Sequence, residues 1–436
     1  MNDRGQRLNL QDMVWRLLLL SAMGSIFSDV LLFRVIGFAV TIPHVLLAVT
    51  TGMAVFAGRR IEGRVAFFFA LIALTEVLHA TAVGFVTSVE WQKSFAQFLA
   101  YGLCCVALTK LRPDRETLAG SAPWAMRLGM VVGGLGVLQF ILFRMGVAAS
   151  LPASWRVKSL DVSSLSGRYG GISPAFGLAQ EPSYYALGLA ALLAYLFFLK
   201  RLKLIDRPKL YVLSVAMLIS GVFVSFSLAG VVITSVLVIQ QLYSSRNIIG
   251  MLLIMAAIIS IFWIPGSQMG LIEPIQSRFQ RVIRGLDHSA LIRVIAPMRL
   301  LFARTGSLET SVFGTGMGME EREKPIYLSV FETTAQGGID RDDVEIHNII
   351  TIIRFLQGWL GLILYGAMLW TILKPLAGKY QAIAPVLLFF LLYHFSSGLY
   401  LSPIFWSLLA LMALLRRGAL AAAWARRGCG LPEFRA

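Results

Sequence analysis

Arg168, Glu181, Arg293 and His347 are the side chains of this sequence best suited to chemistry, and they lie in its two longest stretches outside the apolar runs. Arginine offers a rigid fork of donors to anionic oxygens, and histidine titrates close to neutral pH and can accept a proton. Glu181 stands in Gln180-Glu181-Pro182-Ser183, where Pro182 and Ser183 suit a helix start. Its carboxylate is therefore either a cap stabilised by the helix dipole or a catalytic group. Arg293 and Arg299 interrupt an apolar run, where an arginine needs an anion. His347-Asn348 opens a further helical pattern through Arg354, Gly358 and Gly361, so His347 is either a cap or a base at the lip of an apolar segment.

Two other patterns invite a functional reading. In Phe313-Gly314-Thr315-Gly316-Met317-Gly318 the alternating glycines allow positive φ and close backbone approach, as in phosphate-binding loops. A dinucleotide site would need a flanking βαβ unit, and none is visible. Asp340-Arg341-Asp342-Asp343 has the Asp-x-Asp spacing of metal-dependent sugar transferases, but it reads as a solvated acidic turn on the side away from nucleotide sugars.

The elements that must position these groups are apolar. Hydrophobic residues make up 57% of the chain, charged residues only 14%, and mean hydropathy is +0.74. An all-α polytopic membrane protein is expected, with about 12 spans by hydropathy. They run at 14–33, 36–57, 65–86, 94–109, 125–146, 183–200, 210–228, 230–244, 247–265, 355–373, 382–400 and 402–416. The domain reading follows: a first membrane bundle over 1–265 with an outer loop at 147–182, a large periplasmic loop over 266–354, last spans over 355–417 and a tail over 418–436. Within the large loop, residues 275–290 have helical apolar spacing, with Arg278, Arg281 and Arg284 on the polar side. That pattern suits an amphipathic helix whose arginines reach lipid headgroups.

The net charge of +16 falls mainly in short connectors such as Arg59-Arg60 and Lys200-Arg201. This is the positive-inside pattern, which points to anionic lipid and not to nucleic acid, and places both termini in the cytoplasm. The basic N-terminal stretch reads as a first anchor. Cys104, Cys105 and Cys429 offer neither an outer disulfide nor a metal cluster. Ionisable residues inside spans, Asp29 with Arg34, Glu76 with His79, and His394, read either as pairs near the interface or as the polar path of a transporter. The single long outer loop has no counterpart in a second half-repeat, which favours an enzyme.

The ordered set Arg168-Tyr169-Gly170-Gly171, Gln180-Glu181-Pro182-Ser183, Ser289-x-x-x-Arg293, Phe313-Gly314-x-Gly316, His347-Asn348 and Gly358-Trp359-Leu360-Gly361 resembles the O-antigen polymerase and ligase superfamily over residues 160–365. In that superfamily the Glu-Pro-Ser form is more typical of exopolysaccharide polymerases than of ligases. The resemblance implies a helical bundle of the bacterial inner membrane whose periplasmic loop covers a lipid-facing cavity. It implies glycosyl transfer from an undecaprenyl-diphosphate-linked oligosaccharide to a sugar hydroxyl, without cofactor or metal. Arg168 and Arg293 then hold the diphosphate, His347 is the base, and Glu181 orients the acceptor or replaces His347. Arg278, Arg281 and Arg299 are secondary candidates. A ligase would take the lipid A core as acceptor instead. Membrane lipids and other polysaccharide assembly and export proteins are the expected partners. The acidic insert between Gly318 and His347 departs from many relatives of that superfamily.

Overall fold

Apolar runs of this length fold as helices because a helix satisfies its own backbone hydrogen bonds away from water. A computed structural model describes residues 2–35, 38–56, 61–147, 150, 153–157, 173–244, 280, 296–302, 307–318, 348–373, 380–398 and 400–425. The first half contains α1 (Asn2–Ala22), α2 (Ile42–Val55), α3 (Gly63–Val83), α4 (Val89–Leu108) and α5 (Arg115–Arg144). Three helices follow, α6 (Pro182–Arg201), α7 (Pro208–Val224) and α8 (Leu228–Ser244). Two short helices, α9 (Ala296–Phe302) and α10 (Leu308–Phe313), precede α11 (Ile349–Leu373), α12 (Tyr380–Ser396) and α13 (Pro403–Ala425).

By length and composition, α3, α5, α6 and α11 can each cross a membrane, and five shorter apolar helices accompany them. The expected span at 247–265 and the Asp340–Asp343 turn lie outside the described residues, as does the helix expected at 275–290 apart from Gln280.

The expected first span does not continue to residue 33. The α1 helix stops at Ala22, a 3-10 turn covers Gly24–Phe27, and β1 (Leu31–Val35) pairs antiparallel with β2 (Phe38–Thr41). The break brings polar groups to distant partners. Ser28 Oγ accepts from the Gln180 N–H (3.2 Å), and Asp29 is buried against a partner far along the chain. Alternation of Leu31, Phe33 and Val35 then suits a ribbon. The bundle is helical as expected, with this two-stranded ribbon added.

The centre of the bundle is α6. Its membrane-length window is wholly buried, and it packs against α5, α7, α8, α12 and the 3-10 turn. Small residues allow that crowding: a side chain at Gly188 would strike Ser25 and Ile26 of the turn. Tyr195 fixes α6 to two other helices, taking the Trp15 indole N–H at 3.1 Å and meeting the Ser121 hydroxyl at 2.6 Å. Interhelical hydrogen bonds of this kind contribute about 0.6–2 kcal/mol each. At the C-terminal end Arg201 donates to Gln241 Oε1 (3.0 Å) and to the Gln240 carbonyl (3.1 Å) of α8. Glu181 at the start and Lys200-Arg201 at the end both oppose the charge of the helix dipole.

Candidate active site

The entry to α6 is tied down on all sides. Gln180 donates its backbone N–H to Ser28 Oγ (3.2 Å) and its side-chain amide to the Ser28 carbonyl (3.2 Å). Gln139 of α5 accepts the N–H groups of Phe176 (2.9 Å) and Gly177 (2.8 Å). Asp29 forms a buried ion pair with Arg156, and its Oδ1 accepts from the Val157 N–H (3.2 Å). The Arg156 guanidinium lies 5.3 Å from the Phe176 ring centroid, a cation–π distance.

On this support Glu181 is half-buried and extended, with Pro182 opening α6. Its Oε2 accepts from the Ser183 hydroxyl (3.1 Å), and its side chain makes no capping bond to the first turn. Beside this corner, Ile26, Phe27, Leu135, Leu138 and Tyr185 line a half-open apolar cleft of about 270 Å³.

The glycine-rich segment forms a second structure on α11. That helix breaks at Gly358, whose φ is 65° and ψ is −169°. A break there frees the carbonyls of Phe355 and Leu356, which would otherwise accept from residues 359 and 360. Thr315 and Gly316 donate to them instead, at 2.9 and 3.0 Å. The Gly314 N–H closes α10 on the Thr310 carbonyl (2.9 Å), and the Met317 N–H donates to Glu76 Oε1 of α3 (2.8 Å). Trp91 of α4 donates its indole N–H to the same oxygen (3.0 Å).

Gly314, Gly316 and Gly318 all have positive φ, and a Cβ on them would strike the Leu356 backbone, the Phe85 ring and the Glu90 carbonyl. Alternating glycine thus serves close passage between α11, Phe85 and α4, as its pattern suggested. The N–H groups of residues 314–317 are directed into the protein, because the α11 break and Glu76 offer acceptors within reach.

The start of α11 is capped by Asn348, whose Oδ1 accepts from the Thr351 N–H (3.1 Å). The Thr351 hydroxyl donates to the Pro297 carbonyl (3.1 Å), which attaches α9. Arg354, one turn inward and buried, lies 5.1 Å from the Trp359 ring centroid.

A family model, described as the WcaD colanic acid polymerase, matches residues 167–418, over half of the chain. The chain belongs to the WcaD family. A comparison with curated proteins finds no match. The WcaD region contains the α6 entry, the glycine-rich segment, the α11 break and the last helices. The apolar helices and the WcaD membership together mark a membrane protein of polysaccharide biosynthesis.

Among the residues expected from the amino-acid sequence to form the site, Glu181 sits at the head of α6 and Arg299 is exposed in the last turn of α9. Arg168, Arg278, Arg281, Arg293 and His347 lie outside the described residues. Two expected pairs are corrected. Asp29 meets Arg156, while Arg34 is exposed on the ribbon, because the strand carries residue 34 away from the turn. Glu76 accepts from Trp91 and Met317, while His79 faces Glu309 (3.8 Å), because successive turns of α3 meet different parts of the segment.

Glu76 and His79 were therefore readable as special from their charge in an apolar run, but not as holders of the glycine-rich segment. Glu309 and Thr315 carried no signal of their own, and Arg354 stood out only as an arginine in an apolar helix.

Proposed function

We propose that this protein polymerises lipid-linked polysaccharide repeat units at the periplasmic face of the bacterial inner membrane, transferring glycan from undecaprenyl diphosphate to a sugar hydroxyl. The observation that carries this reading is the WcaD match over residues 167–418. A departing lipid diphosphate concentrates negative charge, and Arg168 and Arg293 neutralise it through paired donors. His347, next to the Asn348 cap, takes the proton of the attacking hydroxyl. Glu181, at the head of the central helix, orients the acceptor. The apolar cleft beside Gly177 and Leu178 suits the polyprenyl tail, since its walls are mainly hydrocarbon.

The test is deletion of the gene, followed by analysis of lipid-linked glycans and surface polysaccharide and complementation with wild type, Arg168→Ala, Arg293→Ala and His347→Ala. Single repeat units on lipid, with polymer restored by wild type but not by stably expressed variants, support the polymerase. Polymer stranded on its lipid carrier would indicate a ligase. Unchanged glycans in the deletion strain would reject glycosyl transfer altogether.

A further inference from the structure

We propose that the cleft between the outer end of α3 and the short helix α10 is a sugar-binding subsite, in which His79, Glu309, Thr310 and Thr315 take hydroxyl groups of the repeat unit. The inference rests on the polymerase reading and adds a place where its carbohydrate is held. The cleft has a volume of about 90 Å³ and is lined by these four residues together with Val83, Phe85 and Gly314. That space suits one edge of a sugar ring and not a whole hexose.

The donor set is that of carbohydrate recognition. His79 Nε2 and Glu309 Oε1 stand 3.8 Å apart, too far to hydrogen-bond well to each other. A hydroxyl oxygen about 2.8 Å from each closes a triangle over them, bonding to the imidazole and donating to the carboxylate. Thr310, whose hydroxyl meets that of Ser307 at 2.8 Å, and Thr315, whose hydroxyl donates to the Phe355 carbonyl at 3.4 Å, each keep a lone pair to accept from a sugar hydroxyl. Glu309 is 55% exposed at its side chain and His79 only 5%, so the pair spans the cleft from mouth to floor. A carboxylate at the mouth repels the diphosphate, which assigns this cleft to neutral sugar hydroxyls and not to the leaving group.

Its walls are held in place. The His79 ring stacks on Phe313 (5.5 Å between centroids, 20°) and meets the edge of Phe85 (5.3 Å, 83°). Phe85 and Val83 line the cleft beside His79 and offer apolar surface to the C–H edge of a pyranose. The opposite wall is fixed by the bonds from Thr315 and Gly316 to α11 and from Met317 to Glu76, one turn before His79. The subsite thereby joins α3, which precedes the WcaD region, to a segment inside it. That gives the first helices a part in substrate binding.

The test uses the purified full-length protein and, as probe, lipid-linked repeat units extracted from a strain deleted for the gene. Glu309→Gln and Thr310→Val are made separately, with thermal unfolding as a check on folding. Each is expected to raise KM for the repeat unit, by about tenfold for the charged partner, with kcat nearly unchanged. If wild type polymerises and both folded variants keep its KM, the subsite is overturned and the polymerase reading stands. If wild type does not polymerise these units, the polymerase reading fails and takes the subsite with it.

Discussion

Glu76 Oε1 and the Met317 N–H meet at 2.8 Å although 241 positions separate them. Through that contact a carboxylate in an apolar helix of the first half of the chain holds a glycine-rich segment of the second. The same oxygen accepts from Trp91, so one side chain fixes α3, α4 and the segment together.

Removing this acceptor should loosen the segment. Glu76→Ala leaves two buried donors without their partner, at about 1–3 kcal/mol for each group left unsatisfied. The expected outcome is a lower unfolding temperature of the purified protein and faster proteolysis within residues 303–318. Glu76→Gln keeps a carbonyl acceptor and should retain most of the stability. An alanine variant as stable and as protease-resistant as wild type would show that the contact does not hold the segment.

Gly358→Ala probes the break in α11 directly. The φ of 65° strains any L-residue by about 1–3 kcal/mol. The added Cβ also overlaps the Val312 carbonyl. Either the break straightens, recapturing the Phe355 and Leu356 carbonyls, or α10 moves away. In both cases polymer formation in the complementation assay should fall while the protein still inserts. Full activity in this variant would sink the proposed link between the break and the site.

The Asp29 and Arg156 pair should show strong asymmetry between single and double replacement. Losing one partner leaves an uncompensated buried charge, at about 3–5 kcal/mol, whereas replacing both with apolar residues is close to neutral. Unfolding of Asp29→Leu, Arg156→Leu and the double variant, compared as a cycle, measures the coupling. Additive losses would mean that the two groups do not depend on each other.

Glu181→Gln separates positioning from chemistry at the head of α6. Loss of a favourable dipole interaction costs up to about 1 kcal/mol in stability. The polymerase reading expects a much larger effect on activity, about tenfold or more, with an unfolding temperature close to wild type. Activity that falls only in step with stability would return Glu181 to a structural part.

Much of the helical framework could be read in advance because it depends on local properties. The α6 and α11 helices cover the runs expected at 183–200 and 355–373, α3 covers that at 65–86 up to Val83, and Pro182 opens α6 as its position suggested. Where a run carried polar groups, the local rule failed. Residues 24–35 and 38–41 include a turn and a ribbon, because Ser28 and Asp29 find partners, Gln180 and Arg156, that a continuous helix would have denied them.

The amino-acid sequence thus determined hydropathy, helix starts and the glycine positions that must take positive φ, each of which depends on neighbours a few residues away. Only the folded bundle decided which groups meet. Asp29 turned to Arg156 and not Arg34, Glu76 to Met317 and not His79, and the Thr315 and Gly316 N–H groups to α11. These partners are set by which helices lie side by side. Once burial removes water, a polar group must bond to whatever acceptor the packing brings within reach, however distant it is along the chain.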